Sequence, residues 1–363
     1  MTALEAAALA VLGRQDRRLV AALLRIITNR FTVEDQEALP SRERDEPLLR
    51  WACRCRASSQ DPSGWQAELA RIEHEAVMQL SQASHLGACP VPLLDRAYPQ
   101  LLGAIHDPPP LLWVRGDVAA LSLPAIAIVG SRAATPYGLA MARQLSTDLV
   151  AAGVVVVSGL ARGVDAAAHV AAVAARGRTV GVLGSGIDRI YPPEHRDLAR
   201  EMEGAGAVVS EFPAGVPPLP HHFPLRNRII SGLSTAIVVV EAPEKSGALI
   251  TASAAADQGR DVLVVPGPAT GGRNRGGHLL IRDGAKVVES AADILQELGS
   301  QGSVAPTPRS VAGLWPETTD FTVDDVAALT GETAQLVLAR LLDFELSGRI
   351  QRIGGGRFIR VLT

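Results

Sequence analysis

From about Ala88 the chain alternates between short, unbroken apolar runs and longer stretches of mixed polarity. The runs are AIAIV (125–129), VVVVS (154–158), TVGVL (179–183), AVVSE (207–211), AIVVVEA (236–242), DVLVVPG (261–267) and KVVE (286–289). Most carry β-branched residues with no polar alternation, the pattern of strands buried on both faces of a mainly parallel sheet. The intervening stretches, such as YGLAMARQLSTDLVAAG, have the length and spacing of helices. The pattern predicts an α/β fold at 89–299, a Rossmann-like, doubly wound, mainly parallel sheet.

On either side the pattern changes. Residues 1–88 carry apolar positions at mixed three and four spacing, as in LVAALLRIITNRF and again from Glu68 to Leu80, which predicts a small helical N-terminal domain. Residues 300–317 contain Gly, Ser and Pro and read as a linker. At 318–363, Thr322 and Asp325 form a capping box before a short helix. A second helix follows, ETAQLVLARLLDFELSG, and then a hairpin, RIQRI–GGG–RFIRV. Helix, turn, helix and hairpin is the order of a winged helix.

Composition adjusts this picture in two places. The 363 residues are 47% hydrophobic with a net charge of −3, so any nucleic-acid site must be a local basic patch and not a global field. Lys245 and Lys286 are the only lysines, which leaves arginine, suited to bidentate phosphate contacts, as the main cation. Cys53, Cys55 and Cys89 have no metal-ligand spacing and read as reduced thiols. The N-terminus puts acid before its apolar run and base after it, the reverse of a secretory signal. A cytoplasmic protein with no membrane association is expected.

In such sheets ligands bind beyond the carboxyl ends of the strands. There the first run is followed by GSRAATPYG, where Gly130, Ser131 and Arg132 precede a helix capped by Thr135. The free N–H groups of that helix start favour an anion, against the plain alternative of an ordinary strand-to-helix turn. The second run leads into SGLARGVDAAAH with Arg162, and Asp165 is placed to cap the next helix. The third leads into GSGIDRIYPPEH, where Gly184 and Gly186 begin a dinucleotide fingerprint but Arg189 replaces its third glycine. Arg189 and Tyr191 suit a phosphate backbone with a base or sugar against the ring; a packed aromatic is the alternative. In FPLRNRIISGLS, Arg226 and Arg228 flank Asn227. On an extended segment both arginines face one way, and on a helix they diverge. Lys245, Ser246 and Gly247 form a third candidate anion site, and Glu241 reads as a partner for one of the arginines. No phosphate-binding loop of the G-x-x-x-x-G-K-[ST] type, H-E-x-x-H or G-x-S-x-G motif is present. No cofactor, metal or catalytic residue is therefore expected.

Taken together, AIAIVGSRAATPYG, SGLARGVDAAAH, GIDRIYP, SEFP, FPLRNRIISGLS, VVEAPEKSGALITA, GRDVLVVPG and LIRDGA stand in the order of, and resemble, the DNA-processing protein A (DprA/Smf) family. The resemblance covers roughly 95–290. It implies a non-enzymatic single-stranded DNA-binding protein that protects incoming DNA and helps load the RecA recombinase in natural transformation and recombination. It also implies a homodimer through the Rossmann-like domain, with DNA contacts at Arg132 and Arg189 and the RNR arginines at Arg226 and Arg228. His195 and His278 stand where the family usually has asparagine. The tail resembles the family's optional winged helix. Its acidic second helix favours a protein contact, with duplex binding through Arg349, Arg352, Arg357 and Arg360 as the rival. The competing function class is a Rossmann-like nucleotide-binding enzyme of the nucleoside monophosphate hydrolase type, although VPGPATGGRNRGG lacks the glutamate of that motif.

Overall fold

The computed structural model describes residues 1–28, 46–56, 65–299, 320–330, 337, 341, 350–353 and 357–360. The chain divides into two compact units, Met1–Gly302 and Ser303–Thr363.

The described residues of the first unit begin with helices α1 (Ala3–Gly13), α2 (Arg17–Ile27), α3 (Leu48–Arg56) and α4 (Trp65–His85). Thr2 and Glu5 close a capping box on α1, and Asp16 caps α2 through the Leu19 amide. The sheet follows. Strands β1 (Cys89–Pro92) and β2 (Leu111–Gly116) flank a short helix α5 (Gln100–Gly103). Then come β3 (Ala125–Val129), α6 (Pro136–Ala151), β4 (Val155–Ser158), α7 (Val164–Ala174), β5 (Thr179–Val182), α8 (Arg196–Glu203) and β6 (Ala207–Ser210). The second half is α9 (His222–Gly232), β7 (Ala236–Val239), α10 (Gly247–Asp257), β8 (Asp261–Val264), α11 (Arg275–Arg282), β9 (Lys286–Val287) and α12 (Ala291–Gly299).

The strand order is β1-β2-β6-β5-β4-β3-β7-β8-β9, parallel from β6 to β9 and antiparallel at β1–β2 and β2–β6. All the apolar runs became strands of this mainly parallel sheet. Alternate residues serve opposite faces. Ile126 and Ile128 pack in a core with α6, α7 and α12, whereas Ala127 and Val129 join a larger core continuous with α1–α4, α9 and α10. Each fully buried Val, Leu or Ile contributes about 1.5–3 kcal/mol, so these unbroken runs stabilise both layers at once. β3 lies between β4 and β7, with the chain leaving on one side and returning on the other. That is the switch point at which the loop crests part and leave a crevice.

In the second unit, Thr322 and Asp325 form the expected capping box, with Thr322 N–H donating at 2.8 Å and Asp325 N–H at 3.2 Å. It opens α13 (Val323–Thr330). Strand β10 (Asp320–Phe321) pairs with β12 (Arg357–Arg360), which also forms the hairpin with β11 (Ile350–Ile353). Phe321, Val326, Val337, Leu341 and Phe358 make its core. The 300–317 linker, Arg349 and most of the second helix lie outside the described residues.

Candidate nucleic-acid interface

The loops after β3, β4, β5 and β7 surround a cavity of about 650 Å³. Of the residues singled out from the sequence, Gly130, Ser131, Arg132, Tyr191, Arg226, Asn227, Lys245, Ser246 and Gly247 border it. Arg162, Gly184, Gly186, Arg189 and Arg228 do not.

A residue that sequence reasoning passed over organises the cavity. The Phe223 ring has the Arg132 guanidinium 5.3 Å from its centroid, that of Arg226 at 5.9 Å, and the Tyr191 ring at 5.7 Å tilted by 52°. Gly184 makes room for it: a Cβ there would lie 3.0 Å from Phe223 Cδ1. Tyr191 is 39% exposed. An arginine laid on one aromatic ring with a second ring beside it offers a stacking surface for a base next to a phosphate contact.

The two arginines of the RNR segment part company. An extended segment would have aimed both at one phosphate run; the segment is instead the first two turns of α9, so Arg226 and Arg228 point to different faces. Pro224 is tolerated because the first turn of a helix has no N–H acceptor to lose. Arg226 is 3% exposed, and its Nη1 donates to the carbonyls of Gly159, at 2.7 Å, and Val182. Burial lowers its pKa to about 10 and the nearby Asp165 charge opposes that shift, so it is cationic at neutral pH. It binds the ends of β4 and β5 to α9, and a Cβ on Gly159 would collide with its guanidinium at 2.6 Å. Arg228 faces away from the cavity, paired with Glu211 and, at 3.5 Å, with Asp107.

Two of the three candidate anion seats are filled by the protein itself. Glu241 accepts from the Thr135 amide at 3.1 Å and from the Thr135 hydroxyl at 2.5 Å, so a carboxylate already sits at the start of α6. Among the described residues it pairs with this helix start and with no arginine. Gly138 permits the approach, since a Cβ there would meet Glu241 Oε2 at 2.7 Å. Asp165 accepts from the amides of Gly159, at 3.1 Å, and Ala161, at 3.3 Å, and so holds the loop before α7 and does not cap the helix. Burial raises its pKa and the Arg226 charge draws it back down. Gly163, the N-cap of α7, has φ 76° and passes so close to the Ser131 carbonyl that a Cβ would sit 2.2 Å from it. The third seat is open. At α10 the Ser246 hydroxyl accepts from Ala248 N at 3.2 Å, and nothing lies within 4 Å of a Cβ built on Gly247.

At the rim, Arg162 pairs with Glu194 at 2.6 Å, both exposed, and exposed Arg189 pairs with half-buried Asp188 at 3.3 Å. Exposed pairs of this kind contribute little and exchange readily. The two histidines that replace asparagine are both tied to loop carbonyls: His195 Nδ1 lies 2.8 Å from Leu160 O and His278 Nε2 3.1 Å from Gly267 O. Below the cavity, His169 on α7 is fully buried with Nδ1 2.7 Å from Thr179 Oγ1, and burial lowers its pKa to about 3. No described helix is long and apolar enough to cross a membrane.

Comparison with known proteins agrees with this arrangement. Residues 91–299 match the family described as DNA recombination-mediator protein A, and residues 318–356 match the DprA winged helix domain. Protein Smf of Escherichia coli (strain K12) is 40% identical over 285 residues, which span 73% of this chain and 76% of that protein. The X-ray structure of DNA processing protein A (DprA) from Streptococcus pneumoniae aligns with a TM-score of 0.69 at 34% identity, covering 82% of this chain and 98% of that one. DNA processing protein A from Helicobacter pylori, whose structure concerns its single-stranded DNA binding mode, aligns with a TM-score of 0.53 at 27% identity, covering 59% and 97%. With one family spanning the whole sheet and its winged-helix module following in order, the chain belongs to the DNA recombination-mediator protein A family.

Proposed function

We propose that this chain binds single-stranded DNA along the carboxyl edge of its sheet. The observation that carries the reading is the cavity at the switch point. There Arg132, Lys245 and the open start of α10 supply positive charge beside the rings of Phe223 and Tyr191. Phosphates rest on the cations and the Ser246–Gly247 amides, and bases stack without being read. Gly130, Gly184, Gly186, Arg226 and Asn227 shape this surface, and Arg162 and Arg189 extend it at the rim. As a recombination mediator in the cytoplasm, the protein shields the strand and passes it to the RecA recombinase. A homodimer through the Rossmann-like unit presents two such surfaces to one strand and raises the effective concentration of the second contact. The winged helix contacts protein.

Fluorescence anisotropy of a labelled poly-dT strand across salt tests this. Wild type binds with a steep salt dependence, and Arg132→Ala weakens binding about tenfold and flattens the log–log slope by about 0.7. No binding at low salt would reject the reading and point to a small nucleotide as the ligand of the cavity.

A further inference from the structure

The positive charge on the strand-end edge is not distributed as the number of arginines suggests. Arg162, Arg189 and Arg275 each face a carboxylate, Glu194, Asp188 and Glu244 respectively, at 2.6, 3.3 and 3.3 Å. Among the described residues no carboxylate lies within ion-pair distance of Arg132, Lys245 or Arg273. The first two border the main cavity. Arg273 stands on the far side of the 130–135 loop, where its Nη1 donates to the Ala133 carbonyl at 2.9 Å. Gly271 and Gly272, with φ of 76° and 69°, turn the loop after β8 in the left-handed conformation just before it.

Arg273 borders a second cavity of about 190 Å³ together with Thr135, Tyr137, Thr270 and Asn274. The Tyr137 side chain is 44% exposed, and its hydroxyl is held by the Pro266 carbonyl at 2.9 Å, so the ring is fixed while part of its surface meets solvent. Ala133 borders the main cavity, so the two cavities share a wall one loop thick. Glu241 also lines the smaller cavity, 4% exposed and committed to Thr135. Its charge excludes a phosphate from the bottom, which places any anion at the rim on Arg273.

We propose that Arg273 and Tyr137 form a second contact for the same strand, so that the DNA runs from Lys245 past Arg132 and over the crest of the 130–135 loop. A backbone phosphate meets the Arg273 guanidinium, and a sugar or base lies on the Tyr137 ring. The proposal rests on the single-stranded DNA reading, and it requires a strand longer than the main cavity holds.

The test compares wild type, Arg132→Ala, Arg273→Ala and Arg273→Gln with poly-dT of about 5 and about 25 nucleotides across salt. Glutamine keeps an N–H donor for the Ala133 carbonyl and removes the charge. Both Arg273 variants are expected to bind the long strand about five- to tenfold more weakly, with the slope lowered by about 0.7, and the short strand as wild type does. Arg132→Ala weakens both lengths. If Arg273→Gln matches wild type on the long strand, Arg273 is a loop tether and the proposal is overturned. Equal losses on both lengths overturn it too, because they put Arg273 within the main-cavity contact. Should Arg132→Ala also bind both strands normally, the single-stranded DNA reading falls and takes the proposal with it.

Discussion

The starts of α6 and α10 are near twins in the sequence. Each follows a buried strand, each passes through a short polar turn, and each has a capping hydroxyl, Thr135 in one and Ser246 in the other. In the fold they differ in charge. The start of α6 holds the Glu241 carboxylate, while the start of α10 is open and has Lys245 beside it. Glu241 belongs to the turn that leads into α10, so one loop fills the first seat and leaves the second empty. The difference teaches that the pull of a helix start on an anion is a property of the backbone that the chain's own acids satisfy first when they are within reach.

Breaking the filled side has the largest expected effect. Glu241→Ala strips the Thr135 amide and hydroxyl of their acceptor and lowers unfolding free energy by on the order of 3 kcal/mol. Urea melts read the loss, and added sulfate should stabilise the variant more than wild type, in which only the α10 start is open. Equal stabilisation of the two proteins would mean that Glu241 does not act as the resident anion. The buried layer beneath the loops gives the next effect. His169 has a folded-state pKa of about 3 against an ordinary 6.5. Between those values the unfolded chain binds more protons, so stability falls as pH drops from 6.5, by about 2 kcal/mol at about pH 5. His169→Gln should flatten that slope in melts compared at the two pH values; an unchanged slope would assign the acid sensitivity elsewhere. The smallest effect sharpens the contrast from the open side. Gly247→Asp supplies α10 with its own carboxylate, which stabilises the helix start by about 0.3–1 kcal/mol. It should also weaken poly-dT binding about tenfold. Undiminished binding by a well-folded variant would show that the open seat is not used.

The strands from β3 to β7 were legible because burial on both faces leaves a nearly unbroken apolar run, whereas β8 and the exposed edge strand β9 were marked by shorter apolar runs that begin with Asp261 and Lys286. β1 was not marked, since Cys89–Pro92 contains two prolines and looks like a turn. As the edge strand of the sheet it pairs on one side alone, which is where proline is tolerated. In the site, Arg132, Lys245 and the Ser246–Gly247 turn were readable because a strand-end loop announces its own exposure. Phe223 was not, because its role comes from Arg132 and Tyr191, which only the tertiary fold brings near. Arg226 and Arg228 hinged on whether one segment was extended or helical, a choice the residues alone left open. Which arginines are neutralised is likewise a tertiary property: Arg162 and Glu194 meet across two loops.

The carboxylate seated at α6 bears on which molecules compete for this edge. Mononucleotides and inorganic phosphate are far more abundant in a cell than single-stranded DNA, and a helix start of this kind would ordinarily hold them. With that seat already taken, a small metabolite is limited to the contacts of the main cavity. A polymer gains several at once, and each contact after the first forms at high effective concentration. On the proposed single-stranded DNA reading, ligand length, rather than phosphate chemistry, separates the strand from the metabolite pool.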